Sequence, residues 1–186
     1  GFHGGNIESD DFKELLLRWF QFGTFCPVMR IHGCRQPYTN LKNKAGEVRE
    51  GTGADNEVWS YGEDAEKIMV KFIHVRELMK DYIRGIMKEA HEKGTPVMRT
   101  LFYEFPDDNC WDIYDEYMFG NEILVAPICH EHETRREVYL PKGHSWTSAH
   151  NGEVYEGGKT YNIDAPIDTI PVFLKDGSNK YLIGEI

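Results

Sequence analysis

Nothing in these 186 residues approaches the roughly 18 consecutive apolar side chains that a membrane-spanning helix requires. No membrane partner is expected, and the chain reads as soluble. The N-terminus shows neither an initiator methionine nor a charged leader before an apolar stretch; it opens at Gly1-Phe2-His3-Gly4-Gly5, which predicts a truncated or excised chain. Cysteine is sparse. Cys26, Cys34, Cys110 and Cys129 form no Cys-x-x-Cys pair and no zinc-like spacing, so free thiols are expected rather than a disulfide framework; they fit a reducing or mixed compartment, the cytoplasm favoured over a periplasmic or secreted setting. Basic residues are short too: 21 Lys and Arg face 31 Asp and Glu, a formal charge of -10. The average surface therefore repels nucleic acid and leaves a neutral partner unaffected. No internal repeat or low-complexity stretch is visible.

Aromatic residues, by contrast, make up 13% of the chain, enough for a packed core and for stacking against a neutral ring-shaped ligand. Ser9-Asp10-Asp11 offers N-cap chemistry before Phe12, Leu15, Leu16, Trp19 and Phe20, whose spacing is helical, and Gly23 supplies a stop. Cys26 to Ile31 is a short apolar run between glycines and reads as a buried strand with His32 at its C-terminal end. A long polar loop follows to about Gly62, with Trp59 and Tyr61 as anchors. One long helix is predicted from Glu63 to Lys93, closed by Gly94 and Pro96.

After Thr95 the apolar period falls to two. Val97 to Phe105, Glu122 to Ala126, Arg136 to Leu140, His144 to His150 and Thr169 to Leu174 read as strands, with a short helical insert near Asn109 to Tyr117. Gly120-Asn121 and Asn151-Gly152 have hairpin chemistry; Gly157-Gly158 and Asp176-Gly177 mark further turns. The second half is thus a mainly antiparallel sheet unit. The first half, helix, strand, long loop and helix, has the pattern of a parallel α/β fold but is too short to close one; it reads as the last part of a barrel. Barrel active sites lie at the C-terminal ends of the strands, which makes His32 a candidate site residue. Arg30, two residues earlier, shares its face in a strand, and an internal ion pair is the plainer role for it.

Other constellations carry less. Gly1-Phe2-His3-Gly4-Gly5-Asn6 lacks the Gly-Lys-Ser/Thr ending and the Gly spacing of nucleotide loops, so no cofactor is implied. The His130-x-His132 pair would project from one face of a strand but has no third ligand fixed by spacing, and a solvated strand edge is the preferred reading, with no metal site. Asp107 and Asp108, after Pro106, read as capping or turn residues rather than as a catalytic acid and base.

Several runs together resemble the glycoside hydrolases of family 31: Gly1-Phe2, Arg18-Trp19-Phe20-Gln21-Phe22-Gly23-Thr24-Phe25-Cys26-Pro27, Arg30-Ile31-His32-Gly33 and Glu57-Val58-Trp59-Ser60-Tyr61-Gly62. The resemblance continues through Gly94-Thr95-Pro96-Val97-Met98-Arg99, Glu104-Phe105-Pro106-Asp107-Asp108 and Tyr117 to Pro127, then Tyr139-Leu140-Pro141 and Ile170-Pro171-Val172-Phe173. It implies the last segments of a (β/α)8, TIM-type barrel over residues 1–95, followed by an all-β antiparallel sandwich domain over 96–186. It also implies a retaining α-glycosidase, whose two aspartates must stand about 5 to 5.5 Å apart so that one attacks the anomeric carbon while the other protonates the leaving oxygen. In the family pattern both lie upstream of Gly1, so no catalytic residue is assigned here.

What carries over is binding. By the resemblance, His32 hydrogen-bonds sugar hydroxyls in the −1 subsite and Phe2 lies beside the leaving-group sugar; Arg30 completes the substrate-binding set. Trp19 and Trp59 are read as packing residues. The Arg-Ile-His-Gly run resembles α-xylosidases more than the α-glucosidase branch, with α-glucosidase or an inert carbohydrate-binding module as alternatives. The implied partners are an oligosaccharide substrate and the remainder of the parent polypeptide, and a homo-oligomer is compatible with the sequence.

Overall fold

The structure, a computed structural model, describes residues 2–3, 6, 9–34, 41–42, 44–49 and 54–186. In chain order the first half holds β1 (Phe2–His3), α1 (Asp10–Thr24), β2 (Gly33–Cys34), β3 (Leu41–Lys42), β4 (Val48–Arg49), α2 (Glu63–Leu78) and α3 (Lys80–Lys93). The second half holds β5 (Met98–Thr100), α4 (Leu101–Glu104), β6 (Tyr117–Phe119), β7 (Ile123–Val125), β8 (Arg135–Leu140), β9 (Ser145–Ser148), β10 (Val154–Glu156), β11 (Lys159–Asp164) and β12 (Val172–Lys175). Of the polar loop expected from Cys34 to Gly62, residues 35–40, 43 and 50–53 lie outside the described residues, and the rest includes β3 and β4, which pair antiparallel.

Six strands form an antiparallel sheet in the order β10-β9-β12-β7-β6-β5, and β8 pairs with β11 in a separate two-stranded sheet. Strand alternation sends successive side chains to opposite faces of the large sheet. Phe119, Ile123, Val125, Val172 and Leu174 face α2 and α3, where Phe72, Val75, Met79 and Ile86 complete one core. Met118, Leu124 and Phe173 face the other way, onto Val138 and Leu140 of β8, with Trp146 of β9 fully buried among them. The molecule is therefore layered helices, sheet, sheet. A sheet covered on both faces needs apolar residues at every position, which is why Ile123 to Ala126 reads as an unbroken apolar run. Each such fully buried side chain contributes roughly 1.5–3 kcal/mol.

Turn chemistry places the strands. Gly120, at φ 67°, joins β6 to β7 where an added Cβ would lie 2.2 Å from the Tyr82 hydroxyl, which itself donates to Phe119 O at 2.7 Å. Gly157 turns the chain from the large sheet to β11, and a Cβ there would meet Pro141 O at 2.2 Å. The Asn151-Gly152 hairpin forms between β9 and β10 as expected, and Gly94 closes α3 in the left-handed region.

Several expected elements differ. The long helix bends at Met79, whose ψ relaxes to 0° while its buried side chain anchors the joint, so two helices stand where one is predicted. The Val97 to Phe105 strand ends at Thr100 and turns into α4, because Glu104 folds back to pair with buried Arg99, which also holds Glu89 at 3.1 Å. The helical insert is a single 3-10 turn at Asp108–Cys110 capped by Asp107, whose carboxylate accepts from Asn109 N, and Tyr117 already belongs to β6. Most consequential, Cys26 to Ile31 is irregular; the strand begins at Gly33, after His32.

Candidate functional site

The site is built where α1 ends. Ser9 N-caps α1 by backbone geometry, without a side-chain bond. Its buried stripe is Leu16, Leu17, Arg18, Gln21 and Thr24, so three of its five buried residues are polar. Trp19, predicted to pack in the helix core, lies on the other side and is 45% exposed. The hydrophobic pattern misassigned it because Arg18 and Gln21 take the inward positions and bond main-chain carbonyls there. Trp59, also read as a packing residue, is 65% exposed on a 3-10 turn, whereas its neighbour Tyr61 is buried and its hydroxyl bonds the Asn56 side chain.

From Phe25 the chain leaves the helix, runs irregularly to His32, and enters β2. A depression of about 160 Å³ opens here, lined by Trp19, Phe22, Gly23, Cys26 and Met29 together with Arg30 and His32. β2 pairs in parallel with β1, Phe2 opposite Gly33 and His3 opposite Cys34, a parallel ladder as barrel strands make. Pairing brings the Phe2 main chain to within one residue of His32; the Phe2 side chain lies outside the described residues.

Arg30 and His32 are both exposed, and Arg30 Nη2 lies 3.3 Å from His32 Nδ1. Arginine has only donors to offer, so Nδ1 accepts and the ring proton sits on Nε2. Among the described residues Arg30 makes this contact with His32, and the imidazole Nε2–H is left to donate elsewhere. An aromatic wall, a donor from an oriented imidazole and a guanidinium beside it can cover an apolar ring face and bond hydroxyls at its edge.

The other sequence candidates do not join this cluster. His132 lies in a turn at φ 64°, not on a strand; Glu14 of α1 accepts from its main-chain N–H at 2.9 Å and lies 3.0 Å from its Nδ1. Asp107 is buried and accepts from Tyr139 Oη at 2.5 Å and from the Asn109 and Lys142 main-chain N–H groups, which hold its carboxyl below the usual range against the opposing effect of burial. Asp107 thus serves as the cap it was expected to be, whereas His132, expected on a solvated strand edge, sits in a turn held by Glu14. Among the described residues no group of three or more His, Cys, Asp or Glu side chains could hold a metal ion, and no helix is long and apolar enough to cross a membrane. Two residues that reach the segment before His32 were not read as site residues from the sequence, Arg76 of α2 and Tyr117 of β6; Arg76 lies in no motif, Tyr117 only opens a run of family resemblance, and the tertiary fold brings both there.

A parallel strand pair with flanking helices, joined to a two-sheet antiparallel unit, is the architecture of a barrel end followed by a sandwich domain. The chain belongs to glycosyl hydrolase family 31: the model of the family's TIM-barrel domain matches residues 1–85 and that of its C-terminal domain residues 94–178. Alpha-glucosidase 2 of Bacillus thermoamyloliquefaciens is 40% identical over 166 residues, covering 89% of this chain and 19% of that protein. The alpha-xylosidase of Saccharolobus solfataricus is 32% identical over 186 residues, covering 100% of this chain and 23% of that protein. A crystal structure of a family 31 alpha-xylosidase from a soil metagenome, complexed with xylose, superposes with a TM-score of 0.93 at 44% identity over 98% of this chain and 28% of that one. The chain therefore spans about a fifth to a quarter of the length of these curated relatives.

Proposed function

We propose that the parent protein is a retaining glycosidase that removes terminal α-xylosyl residues from an oligosaccharide, and that this chain contributes sugar recognition and a bracing domain. In this reading residues 1–95 end the catalytic barrel and 96–186 form the sandwich, and the two reacting aspartates come from the remainder of the parent polypeptide. The observation that carries it is the Arg30–His32 pair beside the aromatic depression, in a chain whose likeness to a xylose-bound xylosidase extends over 98% of its length. His32 offers its Nε2–H to a hydroxyl of the xylosyl ring, a bond that strengthens as the ring distorts toward the oxocarbenium-like transition state. Arg30 fixes the tautomer, and Phe2 covers the neighbouring sugar. α-Glucosidase activity is the second reading, favoured by the 40% identity to a bacterial alpha-glucosidase. Free thiols at Cys26, Cys110 and Cys129 fit a cytoplasmic setting.

The test is His32→Ala in the full-length parent. kcat/KM on nitrophenyl α-xyloside should fall by about 10²-fold, the loss of a strong hydrogen bond made in the transition state. An unchanged value removes His32 from the site, and a higher kcat/KM on the α-glucoside than on the α-xyloside selects the second reading. Turnover by the 186-residue chain alone would refute the external origin of the two aspartates.

A further inference from the structure

Between α1 and β2 the main chain leaves regular structure for the segment that ends in Arg30 and His32, and its polar groups must find partners elsewhere. Their accounting is complete at the start of that segment. The Phe25 N–H donates to Phe22 O at 3.1 Å, the Cys26 N–H to Gly23 O at 3.2 Å, and Pro27 has none to place. The four consecutive carbonyls from Thr24 to Pro27 are all taken by side chains of other elements. Arg76, in the last turn of α2, donates from Nη1 to Thr24 O at 2.7 Å and Cys26 O at 2.6 Å, and from Nη2 to Pro27 O at 3.0 Å. Tyr117, on β6 of the sandwich, donates from its hydroxyl to Phe25 O at 3.2 Å.

Apolar contacts fix the same two donors. The Arg76 guanidinium lies 5.9 Å from the centroid of the Phe119 ring, and Phe119 meets the fully buried Phe25 ring edge-on at 6.3 Å. Tyr117 meets Phe22 at 5.8 Å and 74°. Val28, the next residue, is 72% exposed, so the captured carbonyls are the last well-anchored point before Arg30 and His32. A planar fork that spans three carbonyls sets the direction in which the chain leaves; a lysine, a single point charge, cannot.

Resting on the reading of His32 as a sugar ligand, we infer that Arg76, seconded by Tyr117, is a positioning residue that aims the Arg30–His32 segment into the sugar site. Neither side chain lines the depression, and both act through the backbone of Thr24 to Pro27. The sandwich then does more than brace the barrel: through Tyr117 it supplies one of the four hydrogen bonds that orient the sugar-binding segment.

The test uses the full-length parent with Arg76→Gln, Arg76→Lys and Tyr117→Phe, read by hydrogen exchange and by kinetics. In Arg76→Gln, exchange over residues 24–32 should rise about tenfold with no change over β8 and β11, and kcat/KM on nitrophenyl α-xyloside should fall about tenfold, chiefly in kcat. Arg76→Lys should recover little of either. The kinetic loss should vanish when Arg76→Gln is made in a His32→Ala background, because a residue acting through His32 has nothing left to position. Independent, additive losses in that cycle, or unaltered exchange over 24–32, overturn the inference. Should Arg76→Gln fail to fold, Tyr117→Phe removes a single oxygen and should show the same pattern at smaller size; normal exchange over 24–32 in that variant would overturn it equally. Should His32→Ala itself leave kcat/KM intact, the sugar-ligand reading is what fails, and the exchange result alone decides whether Arg76 positions the segment.

Discussion

In the β unit from Met98 to Lys175 the strands satisfy one another, ladder against ladder; at the junction with the helices, irregular main chain is satisfied by side chains sent across from another element. The contrast is sharpest at Ala165 to Thr169, the link between β11 and β12. Arg18 donates to Ala165 O at 2.8 Å, Pro166 O at 3.1 Å and Thr169 O at 2.9 Å, Gln21 to Ile167 O at 2.6 Å, and Lys71 to Asp168 O at 2.8 Å. Arg18 also reaches Glu133 O at 3.1 Å. Thr24 to Pro27 repeats the device with Arg76 and Tyr117. One region is held by apolar layers and cooperative pairing, the other by a few polar forks, and removing a single residue should act differently in each.

The largest effect is expected in the layered region. Trp146→Ala removes a fully buried ring packed edge-on against Phe105 at 5.8 Å, and orphans Pro141 O, which accepts from the indole N–H at 3.0 Å. Denaturant unfolding should show a loss of about 3–5 kcal/mol spread over the whole unit, with exchange accelerated in every strand. A loss confined to β9 would break the picture of one cooperative layer. Arg18→Met comes next, at about 3 kcal/mol, since four carbonyls lose a charged donor that burial already disfavours. Its signature should be local: exchange at 165–169 rises while the β6–β7 ladder keeps its protection. Arg18→Lys should recover less than half, and full recovery would show that charge alone, not the fork, holds the junction.

The same contrast explains what could be read from sequence. Hairpins at Gly120 and Asn151-Gly152, the αL stop at Gly94 and the apolar runs of β7 and β12 were legible because local chemistry and period determine them. The segment from Cys26 to Ile31 was misread as a strand because its apolar content matches one, while the carbonyl partners that hold it irregular lie 50 residues away on α2. Trp19 was assigned to the core because no periodicity rule lets an arginine displace a tryptophan inward. His32 was expected in the site from family resemblance and from a premise about strand ends; the structure has it entering β2, so its place beside the depression owes nothing to that premise. Arg76 left no local trace, and Tyr117 stood only at the head of a run of family resemblance that says nothing of its bond to Phe25 O.

Glu116 tests the comparison at its finest point, a single polar group inside the layered region. It is buried beside β6, one carboxylate oxygen accepts from Tyr139 N at 2.9 Å, and the other has no hydrogen-bond partner among the described residues. Burial, partly offset by the Tyr139 N–H and by Arg136, pushes its pKa up to about 8. A contact of 3.7 Å to Arg136 argues the other way, toward an ionised pair, but that guanidinium is already committed: it meets Asp115 Oδ2 at 2.7 Å and the Asp115 and Glu137 carbonyls at 3.1 Å. We take the neutral acid as the folded form. The sign then follows. From the unfolded value of 4.5 up to about 8 the folded state keeps a proton that the unfolded state has released, so this group's contribution is full below pH 4.5 and is lost as pH rises through 8. Glu116→Gln, neutral throughout and still able to accept from Tyr139, should unfold with a shallower decline, keeping between pH 5 and pH 9 the stability that the parent sequence loses there. Parallel pH profiles would mean that Arg136 keeps Glu116 ionised, and that the layered region, like the junction, depends on a charged fork.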